Sequence, residues 1–188
     1  MDLWGMLECV ITPALNNDQR SLVRRAFHLA TARHEGQLRQ GGQQYICHPV
    51  RVAIACATYA IRAAWDSATT ANLVASALLH DVIEDTATTE AEIAQAFGQE
   101  VARVVRAVSH EDEEEPDEVF LGRVASGGGL PILVKRFDKL DNVVSLAQAP
   151  EEFRLRKIAE TRAALPIWQR MDPEGAREIE AALCALQI

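Results

Sequence analysis

Apolar residues recur along most of this chain at intervals of three and four, the repeat that lays a continuous stripe on one side of a helix. Residues 19–38 show it, with Leu22, Ala26, Leu29 and Ala30 on one stripe. The pattern breaks over QLRQGGQQYICHP, where paired glycines and several glutamines predict a loop. It resumes at Pro49, a residue suited to the first position of a helix, which places His48 at the N-cap side. That helix is expected to run to about Trp65, and Thr69 or Thr70 opens the next, which ends in HDVIEDT. TTEAEIAQAF predicts a short helix with a threonine at its start and Gly98 beyond its end. Further helices are expected at about 99–109, 132–147, 151–169 and 173–186. Between them lie an acidic stretch, HEDEEEPDE at 110–118, read as a solvated loop and helix start, and SGGGLP at 126–131, read as a flexible connector. No Gly-Lys-Ser/Thr follows those glycines, so they do not read as a phosphate loop. With no substantial sheet, internal repeat or long linker, the prediction is an all-α, single-domain helical bundle spanning 1–188.

Composition supports that picture. Aromatics are only 5% of the chain, alanine is abundant, and β-branched runs are short. A chain of 188 residues is long enough for one domain with a sizeable core. The net charge of −8, with no basic stretch, argues against a nucleic-acid groove. An acidic protein that binds a polyphosphate must instead gather its cations in one cleft. No apolar run reaches membrane-spanning length, so no membrane partner is expected. The start, MDLWGMLECVITPAL, lacks the basic opening and long apolar core of a signal peptide. Cys9, Cys47, Cys56 and Cys184 show no paired metal spacing, so reduced thiols in a cytoplasm are expected.

The chemistry concentrates around His80-Asp81. The apolar run LVASALL delivers this pair and then Glu84-Asp85. On a helix Glu84 lies four residues after His80, and Asp85 four after Asp81, so these side chains share a face. Four ionisable groups at the end of a buried helix are costly unless something pairs them. A divalent cation is the natural partner. His48 in ICHPV and Asp138 in VKRFDKLDN are further ligand-type residues. Two imidazoles and two carboxylates suit Mn²⁺, Fe²⁺ or Zn²⁺ and leave positions open for water.

The order of these motifs, a His before Pro at a helix start, then His-Asp after an apolar helix, then a late Asp, resembles the HD-domain metal phosphohydrolases. HEGQLRQGGQQYICHPVRVA, ALLHDVIEDTATT, AFGQEVARVV and LVKRFDKLDNVVSL together resemble the hydrolase domain of the RelA/SpoT family, most of all its stand-alone small alarmone hydrolases. The likeness covers about residues 20–170. It implies that His48, His80, Asp81 and Asp138 hold one metal ion, usually Mn²⁺, and that Glu84 and Asp85 activate the attacking water. It implies substrate contacts at Arg39, Lys139, Asn142 and Ser145. The implied reaction is hydrolysis of guanosine tetra- or pentaphosphate at the 3′ position, releasing pyrophosphate and GDP or GTP. Lys135, Arg136 and Lys139 are candidates for balancing phosphate charge, although Lys135 and Arg136 diverge by about 100° and cannot both face the cleft. His34 matches a histidine that is not a ligand, Tyr45 is expected to anchor the loop and border the site, and His28 and His110 are expected to have no catalytic part.

The sequence departs from the family's pattern at the loop, where Gln40, Gly41 and Gln44 stand in place of a cation or polar residue, a serine and a proline, and at Asp141, where His or Tyr is common. These changes fall in substrate recognition rather than in the metal set. Adenosine alarmones and NADPH therefore stay open as alternative substrates. A nucleotide-sensing module without turnover is the other alternative, and the intact ligand set and Glu-Asp pair speak against it.

Overall fold

The computed structural model describes residues 2–112 and 114–186; Met1, Gln187, Ile188 and Glu113 of the acidic stretch lie outside it. The described residues form helices α1 (Leu3–Ile11), α2 (Asn17–Arg33), α3 (Cys47–Arg62), α4 (Ser67–Leu79), α5 (Val82–Asp85), α6 (Glu90–Phe97), α7 (Gln99–Val108), α8 (Asp117–Ser126), α9 (Gly129–Ser145), α10 (Glu151–Met171) and α11 (Pro173–Ala185). A 3₁₀ turn, Leu146–Gln148, follows α9. The only β pairing among the described residues is an isolated bridge between Leu38 and Gln44, so the all-α expectation holds.

Local chemistry sets most helix starts. Asn16 and Gln19 form a reciprocal capping box at α2, and Thr89 and Glu92 do the same at α6. Asp66 accepts the Thr69 N–H at 2.9 Å and starts α4 earlier than the two threonines predicted. Pro49 sits third in α3 rather than first, still within the turn whose N–H groups lack helical partners. The sequence pattern missed α1, because LWGMLECVI is apolar almost throughout and shows little helical alternation; Asp2 caps it at Gly5 N–H, and Leu7 and Ile11 are buried.

One expectation needs correction, and a second needs one exception. SGGGLP is a tight joint, not a flexible connector. Only Gly127 and Gly128 separate α8 from α9; a Cβ at Gly127 would stand 2.9 Å from Pro131 Cγ, and Gly128 has φ +89°. The acidic stretch is an exposed loop and the start of α8, as expected, except at Glu115. Glu115 is 5% exposed and accepts two hydrogen bonds from Arg123 Nη2, at 2.7 and 2.6 Å.

Helix α4 is buried from Thr70 to Leu79 except at Asn72, and lies against α2, α3, α7 and α9. Each of Leu73, Val74, Leu78 and Leu79, fully removed from water, contributes roughly 1.5–3 kcal/mol. This first core takes in α1 to α7 and the start of α9 through Leu133 and Val134. A second core joins Phe120 and Val124 of α8, Val143 of α9, Ile158 and Trp168 of α10, and Ile179 of α11. Helix α9 is thus the shared wall, and Asp138 lies between the segments it gives to each core. The second cluster closes on Arg136, which runs outward to Glu174 (3.1 Å) and Glu178 (2.7 Å) on α11.

Candidate metal centre

The expected continuous helix through HDVIED is interrupted. Helix α4 stops at Leu79, His80 and Asp81 form a turn, and α5 adds a single turn. The break aims the four side chains in different directions. His80 and Asp81 meet His48 from the first turn of α3 and Asp138 from the middle of α9. Their facing atoms form a ring that alternates nitrogen and oxygen. His48 Nε2 lies 3.2 Å from Asp138 Oδ1 and 3.7 Å from Asp81 Oδ2; His80 Nε2 lies 3.1 Å from Asp81 Oδ2 and 3.6 Å from Asp138 Oδ1.

Both imidazoles are set so that Nε2 faces the ring. His48 Nδ1 donates to Asp141 Oδ2 at 2.6 Å, and His80 Nδ1 donates to the Ala77 carbonyl at 2.9 Å. With Nδ1 committed in each ring, each Nε2 is the nitrogen left to take a metal ion or a second proton. His80 Nε2 is buried without a hydrogen-bond partner. An orphaned buried acceptor between two carboxylates calls for a cation. Ligands about 2.0–2.2 Å from one ion and at right angles stand about 3 Å apart, close to the edges of the ring. His48, His80 and Asp81 alone already form a group able to hold a metal ion.

The electrostatics agree. Burial disfavours a charged imidazole at His80, yet the Asp81 and Asp138 carboxylates outweigh it and push the His80 pKa up to about 10. Burial would raise Asp81, but His80 and His48 hold it below the usual carboxylate range. Asp138 is likewise depressed against burial, by Lys135 and the two histidines. The centre draws positive charge from every side.

Glu84 and Asp85 stand at the mouth of this ring in unequal settings. Glu84 Oε2 accepts from the His110 backbone N–H at 2.9 Å and its ring Nδ1 at 3.2 Å, while His110 stacks on Phe120 with centroids 3.7 Å apart. These bonds lower the Glu84 pKa against the effect of partial burial. Asp85 goes the other way: partial burial and the Asp81 carboxylate raise its pKa. The Tyr45 hydroxyl donates to Asp81 Oδ2 at 2.8 Å, and burial together with Asp81 and Asp85 keeps it protonated. Tyr45 also stacks on His34, whose Nδ1 meets Gln37 Oε1 at 2.8 Å, so His34 supports the loop and Tyr45 borders the site as expected.

Beyond Tyr45 opens a cavity of about 350 Å³. Arg39, Lys139, Asn142 and Ser145 all line it, with Phe153, Lys157 and Thr161 of α10 opposite. No described lining residue is acidic, although the chain carries a net charge of −8. Arg39 Nη2 donates to Asn142 Oδ1 at 2.6 Å, and Asn142 Nδ2 donates to Asp138 Oδ1 at 2.6 Å, so one asparagine spans cavity and ring. Burial, and then Lys135, hold the Lys139 pKa below its ordinary value, and no carboxylate pairs with it among the described residues. Of the other cations considered, Lys135 is spent on Asp138 at 2.9 Å and Arg136 on α11.

Sequence reasoning misplaced or missed several neighbours of the site. It sets Lys135 at phosphate charge and Asp141 in substrate recognition, whereas the structure puts Lys135 on Asp138 at 2.9 Å and Asp141 on His48 Nδ1 at 2.6 Å; their spacing, three residues either side of Asp138, is the signal for it. His110 had no such signal, because a separate segment brings it to Glu84. Lys157 and Thr161 depend on how α10 folds back over α9.

Residues 26–115 match the family described as the HD domain. The match takes in a little under half of the chain. Over 113 residues it is 39% identical to the bifunctional (p)ppGpp synthase/hydrolase SpoT of Escherichia coli, covering 60% of this chain and 15% of that protein. Over 145 residues it is 34% identical to the guanosine-3′,5′-bis(diphosphate) 3′-pyrophosphohydrolase of Aquifex aeolicus, covering 74% of this chain and 20% of that protein. The chain thus spans a fifth or less of these curated relatives. A solved structure reported as a metazoan ortholog of SpoT that hydrolyzes ppGpp shares the fold, with a TM-score of 0.71 at 20% identity, covering 88% of this chain and 96% of that one. Among the described residues, no helix is long and apolar enough to cross a membrane.

Proposed function

We propose that this HD-domain chain is a metal-dependent hydrolase that removes the 3′-pyrophosphate of guanosine tetra- and pentaphosphate. The observation that carries the reading is the junction of the nitrogen–oxygen ring with a cavity lined by cations and amides and free of acidic residues. The names of the relatives and the ppGpp hydrolysis reported for the structural neighbour point to the same substrate. Both hydrophobic clusters belong to the working unit, since α10 of the second forms the far wall of the cavity.

His48, His80, Asp81 and Asp138 hold the ion, with Mn²⁺ the favoured metal. Such an ion lowers the pKa of water toward neutrality and polarises a phosphoryl oxygen. Asp85, the more basic of the two mouth carboxylates, accepts the water proton. Glu84, held by His110, orients that water by accepting a second hydrogen bond from it. The water oxygen joins the phosphorus attached to the ribose 3′ oxygen, the P–O3′ bond breaks, pyrophosphate leaves, and O3′ takes up a proton. Lys139 meets phosphate charge, which offsets the cost of its burial. Arg39 holds the base side of the nucleotide, with Asn142 and Ser145 along the sugar.

The test is a hydrolysis panel of guanosine tetraphosphate, an adenosine tetraphosphate and NADPH with Mn²⁺, with products identified. Intact pyrophosphate, released fastest from the guanosine substrate, is the expected result. Orthophosphate from NADPH at a far greater rate would make the chain a phosphatase of another nucleotide. Binding without turnover of any of the three would make it a sensor.

A further inference from the structure

Two consecutive residues of α9 connect the 39–43 loop to the ring. Asn142 joins Arg39 to Asp138, as described above. Asp141 makes the parallel connection with a carboxylate. Its Oδ2 accepts from His48 Nδ1 at 2.6 Å, and the same group accepts from Arg51 Nε at 2.6 Å and Nη2 at 2.9 Å. Arg51 Nη1 then donates to Gln43 Oε1 at 2.8 Å, in the loop. The carboxylate is 12% exposed, and three donors on two oxygens leave it little freedom to turn.

The two histidines differ in what fixes them. His80 is oriented by the Ala77 backbone carbonyl in the last turn of α4, just before it in the chain. His48 depends on a side chain from another helix. A neutral imidazole can carry its proton on either nitrogen, and a proton on His48 Nε2 would point an N–H at the ring and block a ligand position. An anion on Nδ1 selects the productive tautomer and sets the ring plane.

We propose that Asp141 is a positioning residue that presents His48 Nε2 to the metal and, through Arg51 and Gln43, couples metal occupancy to closure of the 39–43 loop. The proposal rests on the metal reading above. The turn of the loop is held by three backbone hydrogen bonds, Arg39 N–H to Gln43 O at 2.9 Å, Gly42 N–H to Arg39 O at 2.8 Å and Tyr45 N–H to Gln37 O at 3.0 Å. These amides report on the loop without any substrate.

The experiment is calorimetric titration of Mn²⁺ into the metal-stripped full chain without nucleotide, paired with amide hydrogen exchange over the loop. Asp141→Ala should weaken Mn²⁺ binding on the order of 10- to 100-fold. Asp141→Asn keeps an acceptor for Nδ1 and should weaken it less. In the unmodified chain Mn²⁺ should slow exchange at the three loop amides, and in Asp141→Ala it should not. Arg51→Met should lose the loop response while keeping most of the metal affinity. A purely structural Asp141 would lower thermal stability in both variants yet leave Mn²⁺ affinity within twofold, and that result overturns the proposal. Should Asp141→Ala not fold, an Asp141→Asn protein with unchanged affinity and loop response overturns it equally. Failure of the unmodified chain to bind Mn²⁺ would instead remove the metal reading itself.

Discussion

At the ring, His48 and His80 have each committed Nδ1 to an acceptor, and Asp138 receives both Lys135 and Asn142. Across Tyr45, in the cavity, Lys139 has no carboxylate partner and the Ser145 hydroxyl makes no hydrogen bond to another described residue. The ring is buried and oriented before anything binds. The cavity is open, and Lys139 and Ser145 are held in reserve in it. The contrast follows from the cost of each error. A buried charge that misses its partner forfeits several kcal/mol, so the ring needs orientation from surrounding hydrogen bonds. A cation on the wall of an open cavity can be met by water until a phosphate arrives, so the cavity needs only the right groups within reach.

The contrast can be broken at four points. The largest effect should come from His80→Ala or Asp81→Ala, which open the ring: bound metal and turnover should both vanish, read by metal analysis of the purified variants beside kinetics. Full Mn²⁺ content in Asp81→Ala would show that the ring is not the metal centre. Next come the mouth carboxylates. Asp85→Asn and Glu84→Gln keep size and should keep metal, but turnover should fall on the order of 10²–10⁴-fold for a lost general base. The loss should be larger at Asp85, whose pKa is raised, than at Glu84, whose carboxylate His110 already occupies. Equal and small losses would mean that the proton passes to bulk water.

Cavity changes should be milder and of a different kind. Arg39→Ala removes a charge-assisted contact worth about 1.5–3 kcal/mol, so KM should rise about tenfold or more with kcat nearly kept. A loss confined to kcat would place Arg39 in the chemistry and erase the distinction between the two regions. The smallest effect belongs to Ser145→Ala: one neutral hydrogen bond to substrate, about 0.5–1.5 kcal/mol, predicts a rise of a few-fold in KM at constant metal affinity. A change in Mn²⁺ affinity there would mean that cavity and ring are not separable.

Read from residues alone, the chain already declared its helices wherever polar and apolar positions alternate, as in α2, α6, α7 and α11, because local periodicity and capping act within a few residues. It also declared the chemistry of the ring, since His and Asp in that number have few other reasons to stand beside apolar helix ends. Where both faces are buried or both apolar, as in α1 and α4, periodicity is silent about boundaries, and packing against neighbours decided them. The break between Leu79 and Val82 was invisible for the same reason, because HDVIED has no helix breaker. Only the tertiary structure could divide Glu84 from Asp85. Their spacing in sequence makes them equivalent, while His110 from beyond α7 ties one, and burial beside the Asp81 carboxylate makes the other basic. The same holds for Asp141, which spacing places near Asp138 but only the approach of α3 places on His48. Residue type determines which atoms can bind a cation; long-range packing determines which of their hydrogen bonds are already spent, and so what each remaining atom is free to do.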